Sequence, residues 1–374
     1  KALDVTQQSK NTWQVATNGA TEVTVNYRVY AFELSVRTSF LDASHAVVNG
    51  TSVFFYVDGQ VDQPVTLEVR PDPSWKTVST GLRNKEGATW EFEAVNYDEL
   101  VDCPLEIGNH EVLTFSASGV QHEVAMVGRA EYDAEKITVD MAKVVDACTG
   151  VFGENPNANY TFIVLNGANR GGGLEHRNST TLKMNRWAYR DGYKGFLGLV
   201  AHEYFHLWNV KRMRPKALGP FDYENENYSR LLWVMEGFTS YYDEHLLHRA
   251  GFYTDEEYLQ KVTSGINAIE NQPGNLVQPV AQSSFNAWIK AYRPDENSRN
   301  VTISYYTKGG VVATLLNLEI MQATKGEKDL DDLMRYLYDT YYKRMDRGFT
   351  DAEMLQAVET VAGKKMGAFF DRFV

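Results

Sequence analysis

The sequence predicts a multidomain α+β protein: an N-terminal all-β domain over residues 1–128, then a mainly helical domain over residues 129–374. Three observations predict it. Apolar residues in the first third alternate with a period of two. After Glu131 their spacing becomes helical. A chain of 374 residues is also longer than one ordinary core serves.

The elements follow in order. Val23, Val25, Tyr27 and Val29 alternate, which predicts a half-buried strand. From Phe32, Leu34 and Val36 the parity changes, which predicts a β-bulge near Tyr30. Val53 to Val57 is a β-rich run closed by the turn pair Asp58-Gly59. Val65, Leu67 and Val69 alternate and stop at Pro71, and His122, Val124 and Met126 continue the style. Strands at this spacing predict a sandwich or saddle-like sheet. Residues 133–152 then place Ile137, Met141, Val144, Val145 and Cys148 on one helical face. Thr161 to Leu165 reads as a buried strand, and a glycine-rich stretch follows it. Helical patterns dominate from about residue 194, and Thr254 with Glu257 and Thr350 with Glu353 are capping boxes.

Composition narrows the function. The formal charge is −12, and no Lys/Arg block is longer than Lys211-Arg212, which argues against a nucleic-acid partner. The apolar run Gly195 to Ala201 is far too short to span a bilayer. The two cysteines, Cys103 and Cys148, are too few for a disulfide framework and read as buried thiols. The chain opens on Lys1 without a charged-then-apolar leader, so the compartment stays open between bacterial cytoplasm and periplasm or secretion after signal removal. Oligomeric state is equally open.

The sharpest signal is His202-Glu203-Tyr204-Phe205-His206, inside a helical pattern running from Lys194 to about Met213. Four residues advance a helix by about one turn, so both imidazoles project from one face. Two neutral imidazoles on adjacent turns suit zinc, and Glu203 falls beside such a metal, where a base must stand to take a proton from water. Two surface histidines on an amphipathic helix would give the same pentapeptide. A second helical stretch, Trp233 to Tyr242, separates the two cases. Its one acid before Asp243 is Glu236, set among bulky apolar residues. A lone carboxylate is costly to bury unless it is paired or binds metal, so with His202 and His206 Glu236 would complete a His₂Glu site, the alternative being an exposed acid on a helix face. Lys211, Arg212 and Arg214 are read as compensating the dipole at the helix C-terminus, before Pro215 ends it.

The run from His202 through Trp208-Asn209-Val210-Lys211-Arg212-Met213-Arg214-Pro215, with Trp233 to Tyr242, resembles the glycyl aminopeptidase family of zinc metallopeptidases. These are gluzincins, alongside thermolysin and the aminopeptidase N group. The resemblance covers most of the chain and implies a thermolysin-like catalytic domain over 129–374. Gly172-Gly173-Leu174-Glu175-His176 resembles the exopeptidase loop of the aminopeptidase N group. It implies that Glu175 anchors a substrate's α-ammonium and that Gly172 and Gly173 let a peptide approach the backbone. Tyr305-Tyr306-Thr307-Lys308-Gly309-Gly310 resembles the Tyr-x-Lys-Gly element of those enzymes. It implies Tyr306 as oxyanion donor, with Tyr305 the alternative one residue earlier.

Together the resemblance implies a zinc aminopeptidase acting on peptides with a free N-terminus, with a preference for N-terminal Gly or Ala. The alternatives are an open-cleft metalloendopeptidase and a non-catalytic peptide-binding protein on the same fold. Three departures stand out. His206 and Glu236 are 30 positions apart, wider than in aminopeptidase N relatives. Ser240 stands where thermolysin has an acid that orients a ligand, which leaves Thr239, Ser240 and Asp243 as candidates for that task. The C-terminal PDZ module frequent in the family lies outside these residues.

Overall fold

The computed structural model describes residues 2–169 and 171–374. A β-rich N-terminal part precedes a mainly helical C-terminal part. The first part holds three antiparallel sheets. The largest runs in the order Phe40–Leu41, Ala46–Val48, Leu105–Gly108, Thr77–Thr80. Val65–Glu68 forms the predicted strand, its two valine-side positions half-buried and the others exposed. Phe92, Tyr97, Leu100 and Cys103 form a small core beneath it.

Two predicted strands are absent. Val23, Val25, Tyr27 and Val29 are all exposed and belong to no ladder among the described residues, so no bulge forms at Tyr30. Alternation selects a strand only when a neighbour takes the backbone donors and a core takes the apolar face. Here the segment is held by side chains instead, with the Tyr27 hydroxyl donating to the Val53 carbonyl at 2.8 Å and its ring edge-on to Phe55. The Val53–Val57 run is also irregular, following the short 3₁₀ turn Gly50–Ser52. Phe54 and Tyr56 pack into the small core as single plugs. The Asp58-Gly59 turn forms as expected, with Gly59 at φ 72°.

The central sheet has five strands in the order Glu111–Ala117, Val120–Val127, Asn159–Gly167, Ser179–Asn185, Gly172–Glu175. The inner pairs are parallel and the outer pairs antiparallel. The hairpin 111–127 lies before the expected division at residue 128 yet pairs within this sheet. Leu113, Val124 and Met126 share the main core with Phe162, Met141 and Tyr204. We therefore propose that the two parts divide near residue 110. The parallel pairing of Val120–Val127 with Asn159–Gly167 requires a crossover, which the helix Ala134–Phe152 supplies. Its Met141, Val144, Val145 and Cys148 are fully buried, each aliphatic side chain stabilising by about 1.5–3 kcal/mol. Both cysteines are buried and free, as expected.

The helix Tyr193–Phe205 lies within this core, with Phe196, Leu197, Val200, Ala201, Tyr204 and Phe205 buried. It packs between Ala134–Phe152 and the helix Gly237–Arg249. It ends at Phe205 rather than near Met213, and His206 caps it. The predicted continuation breaks into turns closed by Lys211 N–H on the His206 carbonyl and Met213 N–H on the Trp208 carbonyl. Lys211, Arg212 and Arg214 therefore lie past the helix end and do not serve its dipole. Arg212 is buried and donates to the carbonyls of Leu207 and Arg177, while Lys211 pairs with Asp102. Both expected capping boxes are present, at Thr254 and at Thr350. No helix among the described residues is long and apolar enough to cross a membrane.

Candidate metal centre

The helix Tyr193–Phe205 carries His202 and Glu203 in its last turn, and His206 follows as its cap. The second strand of the site comes from a broken helix: Leu232–Met235 and Gly237–Arg249 meet at Glu236. Oε2 of Glu236 lies 3.3 Å from Nε2 of His202 and 3.3 Å from Nε2 of His206. One donor atom from each of the three lies within 4.8 Å of the others. The two rings are nearly perpendicular, with centroids 4.8 Å apart, and both Nε2 atoms approach the same oxygen of Glu236.

The opposite ring nitrogens are already engaged. His202 Nδ1 donates to Asp243 Oδ2 at 2.9 Å, and His206 Nδ1 donates to the Asn209 carbonyl at 2.6 Å. These bonds set the tautomer that leaves each Nε2 lone pair for a metal. Of the three candidates for orienting the ligands, Asp243 takes the role directly. Thr239 acts one step away: its hydroxyl donates to the Met235 carbonyl and accepts from the Asn209 amide. Ser240 instead lines a neighbouring cavity with Tyr306. Asn209 escaped the sequence reading. Its side-chain amide also donates to the carbonyls of Val234 and Met235, tying the turn after the first helix to the segment that delivers Glu236.

The charge balance fits a dication. Glu175, Glu203, Glu236 and Asp243 surround two imidazoles. Burial opposes charge on both rings, but Asp243 and Glu236 outweigh it at His202, and Glu175 with Glu236 does so at His206, raised to about 9. Burial likewise opposes charge on Glu236, yet the two imidazoles hold its carboxyl far below the usual range. Two imidazole nitrogens and one carboxylate oxygen are a donor set suited to zinc.

Glu203 is 4 % exposed, and its Oε2 is buried without a hydrogen-bond partner. Burial lifts its carboxyl to about 7, against the pull of both imidazoles. Ligand atoms of Glu175, Glu203 and His206 also lie within 4.8 Å of one another. Glu175 ends the edge strand Gly172–Glu175, which crosses directly over Glu203. A Cβ at Gly173 would stand 2.3 Å from Glu203 Cδ, so only glycine permits that crossing. Gly172 precedes it at φ 77°.

Tyr306 is the second residue of the helix Tyr305–Ala323, capped by the Ser304 hydroxyl. Its ring lies 6.2 Å from that of His202, at 24°. Tyr305 is turned inward and 2 % exposed, so of the two tyrosines Tyr306 faces the metal ligands. Burial, then the Glu236 charge, raises the Tyr306 phenol far above its ordinary value, which keeps its proton available for donation. The helix reaches this place because Gly309 meets Gly237 backbone to backbone: a Cβ at Gly237 would stand 2.4 Å from Gly309 Cα.

Residues 195–312 match the family described as M61 glycyl aminopeptidase, and residues 1–109 match the Peptidase M61 N-terminal domain. Among solved structures, an aminopeptidase N family protein from Idiomarina loihiensis is 37% identical with a TM-score of 0.95. The match covers 100% of this chain, which spans 65% of the length of that protein. An M1 zinc metallopeptidase from Deinococcus radiodurans shares the fold at 16% identity and a TM-score of 0.56, over 89% of this chain and 69% of that one. A mutant M1 zinc metallopeptidase from the same organism, bound to a Tyr-Ser-Ala substrate, aligns at 16% identity and a TM-score of 0.58, over 90% and 70%. Comparison with curated proteins returned no match.

Proposed function

The chain belongs to the M61 glycyl aminopeptidase family, and on that premise we propose that it is a zinc-dependent aminopeptidase. The observation that carries the reading is the convergence of His202, His206 and Glu236 with Glu203 beside them. The first three hold the ion. Bound there, zinc supplies Lewis-acid polarisation of the scissile carbonyl and lowers the pKa of an attacking water to about 7.

The chain's own groups do the rest. Glu203, buried with its Oε2 free of any hydrogen-bond partner, takes the proton from the water and delivers it to the leaving amine. Tyr306 donates its hydroxyl proton in a hydrogen bond to the oxyanion. As the last strand of its sheet, Gly172–Glu175 has one edge free of strand neighbours among the described residues, along which a substrate backbone pairs. Glu175 binds the α-ammonium, so cleavage falls after the first residue. Family membership supports a preference for N-terminal Gly or Ala.

The test is turnover of Gly- and Ala-anilides by the zinc-loaded protein, with and without chelator. Chelation should abolish turnover and zinc should restore it. Absence of turnover in the loaded protein would remove the enzymatic reading. Equal cleavage of free and N-acetylated peptides would favour an endopeptidase.

A further inference from the structure

The strand that carries Glu175 is held at its far end by the other half of the molecule. The turn after Glu175, residues 176–178, rests on Asp102, which follows the short helix Tyr97–Val101 of the N-terminal part. Asp102 Oδ1 accepts from His176 Nδ1 at 3.2 Å and from Lys211 Nζ at 2.7 Å. Asp102 Oδ2 accepts from the Arg177 backbone N–H at 3.0 Å. Asn178 completes the grip, its amide donating to the Gly81 carbonyl at 2.7 Å. His176 is 5 % exposed and Lys211 comes from the turns just past the metal-binding helix, so one carboxylate ties three separate segments.

Glu175 needs such support. It sits on an edge strand with a single sheet neighbour among the described residues, one residue from the turn. An edge strand frays more readily than an inner one, and a carboxylate that must meet a substrate ammonium tolerates little displacement. Resting on the aminopeptidase reading above, we propose that Asp102 is a positioning residue for the substrate's N-terminus. It fixes the 176–178 turn and thereby the carboxylate of Glu175. The selectivity for a free N-terminus thus depends on a residue of the β-rich half.

Asp102→Asn tests this, because it keeps the shape while removing one acceptor and the charge. The ratio of kcat/KM for a free tripeptide to that for its N-acetylated form should fall about tenfold or more. The loss should appear in KM for the free peptide, with kcat changed little. Zinc content should stay at the wild-type level, and amide exchange in residues 172–178 should quicken. Asp102→Glu, which restores charge and both acceptors, should recover part of the ratio. Should Asp102→Asn fail to fold, His176→Ala removes one of the three donors, leaves the Asp102–Lys211 pair, and is judged by the same ratio and exchange. A folded variant that keeps the wild-type ratio and the wild-type exchange overturns the role of Asp102 alone. A wild-type protein without any preference for free N-termini overturns the Glu175 reading, and this inference with it.

Discussion

Alanine at position 173 would place a methyl group 2.3 Å from both Cδ and Oε1 of Glu203 and 2.5 Å from its Cγ. Ordinary carbon contacts begin near 3.4 Å, so the base or the strand must yield by about 1 Å. Rotating the carboxylate tip does not relieve this, because the stem clashes too and Glu203 is 4 % exposed. A general base displaced by about 1 Å loses on the order of a hundredfold in rate, or about 2.7 kcal/mol of barrier. His202, His206 and Glu236, the proposed ligands, are untouched, so metal content should not change. The assay is kcat on an Ala-anilide beside zinc stoichiometry and Tm for Gly173→Ala. Loss of turnover with zinc and fold retained is the expected result. Turnover within a few-fold of wild type would refute the view that this strand presses on the base.

Asp243→Asn should weaken zinc binding about 10- to 100-fold, since His202 Nδ1 loses its charged acceptor; competition with a chelator measures it. Tyr306→Phe should lower kcat about a hundredfold with KM nearly unchanged, while Tyr305→Phe stays close to wild type in the same steady-state assay. Glu106 supplies a pH prediction. It is fully buried against His45, and burial pushes its carboxyl from 4.5 up to about 7. A folded-state pKa above the unfolded one means that the folded protein holds the proton more tightly. Stability is therefore lost as pH rises from about 4.5 to about 7, on the order of 3 kcal/mol. Glu106→Gln should flatten this fall, and thermal unfolding of both proteins at pH 5.5 and pH 8 checks it.

The site was far more legible than the N-terminal sheets. His202, Glu203 and His206 sit on one helical turn, where spacing dictates geometry. Glu236 stood out as one acid among apolar neighbours, since burial of such a group needs a cause. Asp243 was readable only as one of three candidates, because the helix breaks at Glu236 and the wheel does not carry across that break. Asn209 left no signal: its backbone carbonyl does the work, aimed by turns that replace the expected helix. Val23 to Val29 shows the opposite failure. Its alternation was real, but pairing depends on distant segments, and none lies beside it among the described residues. The placement of hairpin 111–127 was hidden for the same reason, since register partners such as Val124 and Phe162 are 38 residues apart.

On the proposed function, His202, His206 and Glu236 jointly hold one catalytic zinc. Metal analysis of wild type and Glu236→Gln, each dialysed against the same trace zinc and paired with Ala-anilide turnover, tests it most directly. Wild type should carry one zinc per chain and turn over, while the variant should lose both the metal and the activity. Equal zinc and equal activity in the two proteins would show that Glu236 does not hold the metal.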